Sequence, residues 1–495
     1  MPALGDLPGK IPFFGRVLLL GCGSVSRCLQ PLLLRHLDVP GERITILDFE
    51  DLRDRIPATL DAGVGYVQDR ITPESMDRLL SAHLGPGDLL IDLAWNIDCG
   101  DIVQWCHDAG VLYVNTSVEL WDPYAEAPDQ PPPDRTLYVR HMALRQRVRR
   151  WPSPGPTAVV EHGANPGLVS HWTKRALHDL ATAILAEGGD LEPDRRARLE
   201  AALLDGAWNR LAMETGTRVI HISERDTQIS SRPKEVGEFV NTWSIEGFFE
   251  EGVAPAELGW GTHERRLPPL AWEHDGDGPR NQICLARPGI DTYVRSWVPK
   301  GGPILGMVVR HGEAFTISDA LTVWGDDGVA RYRPTVHYAY QPADAAIVSL
   351  HELRTTGYRM QERQRIMDDD ITSGDDELGV LLLGHDLTGW WTGSQLSIEE
   401  TRRLVPGQNA TTLQVAASVL GAVAWTVAHP DRGVLVPDQL DHREVLAWAD
   451  PYLGPCPSLR TDWTPLADRV DLYDRFNGRP RPADDDVWQL DTFLL

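Results

Sequence analysis

The fold is decided by the stretch Arg16-Val17-Leu18-Leu19-Leu20-Gly21-Cys22-Gly23-Ser24-Val25-Ser26. Four apolar residues follow Arg16, a run that is typical of a buried β-strand, and a glycine-rich turn comes directly after it. Apolar residues at helical spacing then continue over residues 25–36. A strand, a glycine-rich turn and a helix in this order predict the beginning of a dinucleotide-binding α/β sheet.

Apolar runs and helical segments continue to alternate through the first third of the chain. Strands are predicted at residues 43–47, 88–93 and 111–115, and a helix at residues 102–109. Because strands that alternate with helices build parallel sheets, this region predicts an α/β fold of the Rossmann type, with a doubly wound parallel sheet.

The length of 495 residues predicts two or three domains, because single cores stop growing at roughly 250–300 residues. A proline cluster at residues 151–156 marks the first boundary, so we expect the NAD-binding domain at 1–155. A strand at 157–161 is expected to begin the second domain, 156–400, in which residues 368–377 read as an acidic loop. Residues 401–495 are expected to form a C-terminal helical segment that packs on the other domains, with a long apolar helix at 409–428.

The glycine-rich turn has the pattern G-x-G-x-x-S. Gly21 makes the tight turn, Gly23 lets a pyrophosphate approach the backbone, and Ser26 is small enough for the helix to pack on the sheet. The free N–H groups of Ser24 and Val25, at the start of the helix, would face the phosphates. The alternative interpretation is an ordinary glycine-rich turn.

An acidic residue ends the second strand of this region. Asp48 lies 25 residues beyond Gly23, where a carboxylate holds the adenosine ribose hydroxyls and repels a 2′-phosphate. The sequence therefore predicts NAD rather than NADP as the cofactor, although Arg53 and Arg55 are near enough to weaken the preference.

Composition narrows the functional class. There are 72 acidic and 47 basic residues, giving a formal charge of −25, which argues against nucleic acid and anionic membranes as partners. The six cysteines form no C-x-x-C pair and suit neither a zinc site nor a disulfide framework, so no metal is expected. Residues 1–14 lack the features of a signal peptide, so we expect a cytoplasmic protein.

Three dense polar stretches lie beyond residue 156: E-H-G-A-N-P-G (161–167), H-I-S-E-R-D-T-Q (221–228) and a longer one at 241–264. The longest interleaves carboxylates with Trp243 and Trp260. A tryptophan face attracts an ammonium group and carboxylates complete an amine pocket. The alternative is that these tryptophans are core residues and the glutamates a solvated surface.

Several motifs of this region resemble those of bacterial homospermidine synthases. They are H-G-A-N-P-G-L-V-S-H (162–171), N-T-W-S-I-E-G-F (241–248), P-A-E-L-G-W-G-T-H-E (255–264), G-V-L-L-L-G-H (379–385), G-S-Q-L-S (393–397) and N-A-T-T-L-Q-V (409–415). The resemblance is collinear over nearly the whole chain. This family is related to saccharopine dehydrogenases, which implies a Rossmann domain followed by a larger α+β domain for substrate binding and dimerisation, and a homodimer.

The resemblance implies a reaction without net redox change. A hydride passes from an amine-bearing carbon of putrescine to NAD⁺, a second putrescine displaces ammonia from the resulting imine, and the retained hydride reduces the new imine to homospermidine. The first step needs a neutral amine, so a carboxylate or imidazole must accept a proton.

The resemblance also implies roles for individual residues. Trp243 would contact the substrate amine through its ring, and Glu224 and Glu251 would bind substrate or handle protons. Asn165 would lie between nicotinamide and substrate, and His311 is a candidate proton shuttle.

Three further carboxylates complete the set of candidates. Glu119 could bind substrate in the same cleft, and Asp92 and Asp376 are weaker candidates.

Two other functions stay open at this point. One is an NAD(P)-dependent dehydrogenase like those that form saccharopine or carboxynorspermidine, whose α-carboxylate substrate calls for an arginine fork; Arg225, Arg232 and Arg295 are available for it. The other is a non-catalytic NAD-binding paralogue.

Overall fold

Two large β-sheets organise the part of the chain that the computed structural model describes, namely residues 9–123, 130–187, 191–276, 278–467, 473, 476 and 487–495. Residues 1–8, which belong to the segment examined for a signal peptide, lie outside this part. The first sheet is built from β2 (Val17–Leu20), β4 (Ile44–Asp48), β5 (Gly65–Gln68), β6 (Leu89–Asp92), β7 (Leu112–Asn115), β8 (Ala158–Val159) and β24 (Val434–Leu435).

The first sheet is parallel throughout, in the order β24-β8-β7-β6-β2-β4-β5. Its central strands are apolar and fully buried, as expected for parallel strands with both faces covered. The strand order reverses between β2 and β6, so a crevice forms outside the carboxyl ends of these strands. The predicted Rossmann-type sheet is therefore confirmed.

The strand expected to open the second domain differs from the prediction. Its structured part, Ala158–Val159, pairs with β7 and thus extends the first sheet. Val434–Leu435, from far along the chain, pairs with it in turn. Short apolar strands carry no mark of which sheet they join, so the sequence could not assign them. The domain limits at 155 and 400 stay predictions.

The second sheet is mixed and has ten strands. Its main path is β13-β14-β12-β19-β9-β22-β23-β25, with β16 beside β19 and β15 beside β16. Only β19 and β9 pair in parallel. The strands are β9 (Val219–Asp226), β12 (Pro255–Gly259), β13 (Ala271–Glu273), β14 (Gln282–Pro288), β15 (Tyr293–Val298), β16 (Gly302–Met307), β19 (Thr335–Gln341), β22 (Asp375–His385), β23 (Thr388–Ser397) and β25 (Ser458–Thr461).

Helices cover both sheets and fill the space between them. They are α1 (Ser24–His36), α2 (Pro57–Asp61), α3 (Met76–His83), α4 (Cys99–Ala109), α5 (Leu137–Val148), α6 (Leu168–Glu187), α7 (Pro193–Asp205), α8 (Trp208–Thr215), α9 (Ile245–Val253), α10 (Glu313–Ala320), α11 (Asp344–Thr355), α12 (Ile398–Leu404), α13 (Ala410–Ala428) and α14 (His442–Ala449). A helical turn follows at Leu490–Phe493.

Four strand pairs lie outside the two large sheets. They are β1 (Ile11–Pro12) with β3 (Leu37–Asp38), β10 (Ile229–Ser230) with β21 (Ile371–Ser373), β11 (Glu238–Asn241) with β20 (Arg363–Ile366), and β17 (Val323–Trp324) with β18 (Ala330–Tyr332).

The helix predicted at 409–428 is α13, and it joins the two halves of the core. It packs on α1 and β7 on one side and on β22 and β23 on the other. Within the described residues it alone is long and apolar enough to cross a membrane, yet 89% of its apolar window is buried in the protein. It is therefore a core helix.

The acidic loop expected at 368–377 is wrong in part. Ile371–Ser373 forms β21 and Asp375 begins β22, so Asp376 lies inside a buried strand. The acidic residues misled the prediction, because carboxylates inside a strand are rare unless they serve a site.

Candidate active site

The glycine-rich turn leads from β2 into α1. Gly21 has a φ of +86°, and a side chain there would press on the carbonyl oxygen of Leu93 at 3.0 Å. Gly23 is the N-cap of α1 and has open space around its Cα. The first turn of α1, which begins with Ser24 and Val25, contains no acidic residue and no side chain caps it. Its free N–H groups can therefore donate hydrogen bonds to a pyrophosphate.

Asp48 ends β4 and ties this turn to the sheet. One of its carboxylate oxygens accepts a hydrogen bond from the Cys22 N–H at 2.6 Å, and the other accepts one from the Glu50 N–H at 2.9 Å. Each oxygen keeps a further lone pair for a ribose hydroxyl. Arg53, which could have served a 2′-phosphate, is instead paired with Asp51 at 2.8 Å.

A polar turn at residues 161–167 follows β8 at the same edge of the sheet. Asn165 lies in this turn, half-buried, with its amide nitrogen 3.4 Å from Nδ1 of His311. Glu161 adopts a φ of +58°, an unusual conformation for a residue with a side chain, and pairs with His141 at 2.7 Å. Such backbone conformations cluster at functional sites.

His311 is buried between two carboxylates. Its Nε2 lies 3.0 Å from Glu251, and its Nδ1 lies 3.3 Å from Glu313. Burial alone would lower the pKa of His311, but the charges of Glu313 and Glu251 raise it well above its usual value. The ring is therefore a cation near neutral pH, and it can donate a proton as well as hold one.

Three buried carboxylates form a second group, which we call the carboxylate cluster: Glu224, Asp226 and Asp376. Glu224 and Asp226 share one face of β9, and Asp376 of β22 lies directly opposite Asp226. Burial raises the pKa of Glu224 to about 8 and that of Asp226 to about 6, and it raises that of Asp376 well above its usual value. No arginine or lysine of the described residues forms an ion pair with the cluster.

Two tyrosines join these groups, and sequence reasoning missed both. The Tyr338 hydroxyl donates to Glu224, and its ring lies 4.5 Å from that of His311. Tyr340 stacks on Tyr338 at 5.1 Å and accepts a hydrogen bond from the Trp243 indole at 3.0 Å. No pattern in the sequence separates these tyrosines from ordinary aromatic core residues, because residues 335–340 of β19 are all buried.

Glu119 lies beside a further set of charged residues, which consists of Glu250, Arg310 and Arg140. The Ser117 hydroxyl donates to it at 2.9 Å, and burial together with the charge of Glu250 raises its pKa to about 8. Burial would also raise the pKa of Glu250, but Arg310 and Arg140, at 2.7 and 2.6 Å, lower it to about 2. Of these four groups, sequence reasoning selected only Glu119.

Part of the predicted amine pocket is wrong. Glu257 accepts hydrogen bonds from the N–H groups that begin α5. Glu264 accepts from Thr335 at 2.7 Å and from the Leu490 N–H at 3.0 Å. Trp260 packs against a separate part of the core. These three side chains are therefore engaged in contacts that hold the fold together.

The arginines considered for an α-carboxylate lie elsewhere. Arg225 alternates with Glu224 on β9 and so faces the other side of the sheet, near Gly301. Arg232 is exposed, and Arg295 contacts the carbonyl of Leu494. Asp92 is also occupied, since it accepts hydrogen bonds from Tyr113 at 3.0 Å and from the Ala94 N–H at 3.2 Å.

This arrangement suits amine chemistry. Hydrogen bonds and ring contacts join a cationic imidazole, a carboxylate with a pKa of about 8 and an indole ring. A proton donor and a proton acceptor therefore lie near an electron-rich ring face. Among the described residues, no group of three or more His, Cys, Asp or Glu side chains is arranged to hold a metal ion.

Comparisons with known proteins extend over the whole chain. The family model described as the saccharopine dehydrogenase NADP binding domain matches residues 17–159, and that of the saccharopine dehydrogenase C-terminal domain matches residues 163–455. Homospermidine synthase of Blastochloris viridis is 42% identical over 488 residues, 97% of each chain. Homospermidine synthase of Mesorhizobium japonicum is 38% identical over 500 residues, covering 100% of this chain and 98% of the relative.

A solved structure agrees with these sequences. The crystal structure of homospermidine synthase from Legionella pneumophila in complex with NAD superposes with a TM-score of 0.85 at 36% identity, covering 98% of this chain and 99% of that one.

Proposed function

Because the chain belongs to the homospermidine synthase family and carries both saccharopine dehydrogenase domains, we propose that it joins two putrescine molecules into homospermidine, with NAD as cofactor and release of ammonia. The observation that carries this proposal is the buried carboxylate cluster, which forms no ion pair with an arginine or lysine of the described residues and is linked through Tyr338 to His311. Such a site favours a substrate whose ends are ammonium groups.

The cofactor proposal rests on the glycine-rich turn. Gly21, Gly23, Ser24 and Val25 would hold the pyrophosphate, and Asp48 the adenosine ribose. When bound, NAD supplies transient redox chemistry: a hydride leaves the amine-bearing carbon and later returns to the new carbon–nitrogen bond. The NAD complex of the Legionella relative supports NAD over NADP, although the N-terminal family model is named for NADP.

Substrate binding would be shared by the carboxylate cluster and Trp243. An ammonium group against an indole gains about 0.5–2 kcal/mol, more as water is excluded. The indole N–H is fixed by Tyr340, so the ring is already oriented. Glu119, which lies near Glu250, would bind the substrate at the other end of this set of residues.

Proton transfer would be divided between two residues. Glu224, whose pKa is raised by burial to about 8, accepts the proton that the first amine must lose. His311, held as a cation by Glu251 and Glu313, supplies a proton to the ammonia that leaves. Asn165 would lie between the nicotinamide and the reacting carbon, with its amide against His311.

A homo-oligomer and a cytoplasmic location complete the proposal. The family resemblance supports a dimer, since symmetric dimers are the commonest assemblies. The burial of α13 in the core supports a protein that works in water.

The test is product analysis of purified protein with putrescine and a small amount of NAD⁺. Homospermidine and ammonia in equal amounts, without accumulating NADH, would support the proposal. NADH accumulating with an aldehyde would contradict it, and so would turnover that requires an α-amino acid. The Glu251→Gln variant is expected to lose activity, whereas Glu246→Gln, on the exposed side of the same helix, is expected to keep it.

A further inference from the structure

A chain of buried hydrogen bonds holds the turn that carries Asn165. Ser418 of α13 donates to the carbonyl oxygen of Gly163 at 2.5 Å. The Ser418 hydroxyl also lies 2.9 Å from Nδ1 of His162, and Nε2 of His162 lies 2.9 Å from Nε2 of His171. All three side chains are fully buried.

The direction of every bond in this chain follows from the donors available. A carbonyl only accepts, so the Ser418 proton goes to Gly163 and the hydroxyl oxygen must accept from Nδ1–H of His162. A neutral imidazole has one N–H, so Nε2 of His162 accepts from Nε2–H of His171. Burial lowers the pKa of both histidines, to about 3 for His162, and so keeps them neutral.

The held carbonyl fixes the rest of the turn. The Gly163 carbonyl also accepts from the Leu168 N–H at 3.1 Å, and the Gly163 N–H donates to the Pro166 carbonyl at 2.7 Å. A side chain at Gly167 would clash with the Gly163 carbonyl. The turn is therefore closed on itself, and its position against His311 depends on Gly163.

We propose that Ser418, His162 and His171 are positioning residues, which set Asn165 against His311 through the Gly163 carbonyl. None of them touches the reacting atoms. The inference deepens the proposed function and rests on it for its kinetic consequence, since Asn165 is there placed beside the reacting carbon.

The first test is Ser418→Ala, compared with Thr426→Val on the same helix. The Thr426 hydroxyl has no hydrogen-bond partner among the described residues, so its loss serves as a matched control. We expect Ser418→Ala to lower kcat by roughly ten- to a hundredfold, because small misplacements of catalytic groups cost that much. The Kd for NAD and the KM for putrescine should change little, and Thr426→Val should match the wild type.

A conservative pair separates positioning from stability. His171→Gln keeps an N–H donor and should retain most of kcat, whereas His171→Met removes it and should resemble Ser418→Ala. A kcat that falls only in step with the folded fraction, judged by thermal unfolding, would overturn the proposal.

A crystal structure of Ser418→Ala gives a readout that does not depend on activity. We expect Asn165 to move away from His311, beyond the 3.4 Å contact of the wild type. If Asn165 stays in place, the inference is wrong whatever the kinetics. If Asn165 moves but the wild type makes no homospermidine, the positioning role stands and the proposed function fails.

Discussion

Replacing Tyr338 with phenylalanine removes one hydrogen bond from the carboxylate that is proposed to accept the substrate proton. The Tyr338 hydroxyl donates to Glu224, and this bond lowers the Glu224 pKa, which burial raises to about 8. A hydrogen bond to a charged group contributes about 1.5–3 kcal/mol, and one pKa unit corresponds to about 1.4 kcal/mol. The Glu224 pKa should therefore rise by about one to two units in Tyr338→Phe.

The sign of the effect on activity follows directly. Glu224 must be ionised to accept a proton, so kcat/KM increases as pH rises through its pKa. In Tyr338→Phe the rising limb of the pH profile of kcat/KM should move to higher pH. Near neutrality kcat/KM should therefore fall roughly ten- to a hundredfold, and it should recover at alkaline pH. Putrescine titrates identically for both proteins, so their comparison isolates the enzyme.

The assay is homospermidine formation followed by mass spectrometry across a pH series. Tyr340→Phe is the control, because Tyr340 lies on the same face of β19 but is bonded to Trp243 rather than to Glu224. An unshifted limb in Tyr338→Phe, with activity lowered equally at every pH, would refute the assignment of Glu224 as proton acceptor.

Three further outcomes are expected. Asp376→Asn should raise Tm at alkaline pH more than at acidic pH: burial raises the Asp376 pKa, so the folded state loses stability as pH rises above the unfolded pKa of about 4, and asparagine escapes this loss. Glu250→Gln should lower the free energy of unfolding by about 3–5 kcal/mol in denaturant titrations, because Arg140 and Arg310 would stay buried and lose the carboxylate that pairs with both. Asp48→Asn should lower the preference for NAD over NADP by about tenfold or more, measured as the ratio of the two Kd values.

Each of these has a result that contradicts it. Equal Tm shifts of Asp376→Asn at both pH extremes would mean that folding does not raise the Asp376 pKa, because the carboxyl would then ionise as readily in the folded as in the unfolded protein. If Glu250→Gln is as stable as Glu246→Gln, the pairing of Glu250 with the two arginines does not stabilise the fold. An unchanged cofactor preference in Asp48→Asn would leave Asp48 only its bond to the Cys22 N–H.

The first sheet could be predicted because the features that specify it are short, contiguous stretches of sequence. Buried parallel strands are continuous apolar runs, which are visible in the sequence. The glycine at position 21 is required because a side chain there would press on Leu93. The place of Val434–Leu435 could not be predicted, because two apolar residues far along the chain carry no sign of the partner strand.

The site was predictable where residues stand in long motifs. Asn165 and Trp243 were proposed from such motifs, and Glu251 lies just beyond one of them. The contacts of His311 bring Asn165 and Glu251 together. Tyr338 was missed because an aromatic residue on a strand is most often core, and only the folded sheet places it beside Glu224.

Charge alone was a poor guide to the site. Glu257 and Glu264 were counted with the amine pocket because carboxylates and tryptophans alternate there, yet both serve as acceptors for backbone N–H groups. Glu250 is the opposite case, since its two arginines come from distant segments and neither could be paired with it by spacing.

The most direct test of the account uses putrescine deuterated at both amine-bearing carbons, turned over in the presence of excess unlabelled NADH. If a single site removes the hydrogen, holds it and returns it to the same carbon, homospermidine keeps all of its deuterium. Product with ordinary hydrogen at the newly formed carbon–nitrogen bond would contradict this, because reduction would then have used a cofactor exchanged from solution.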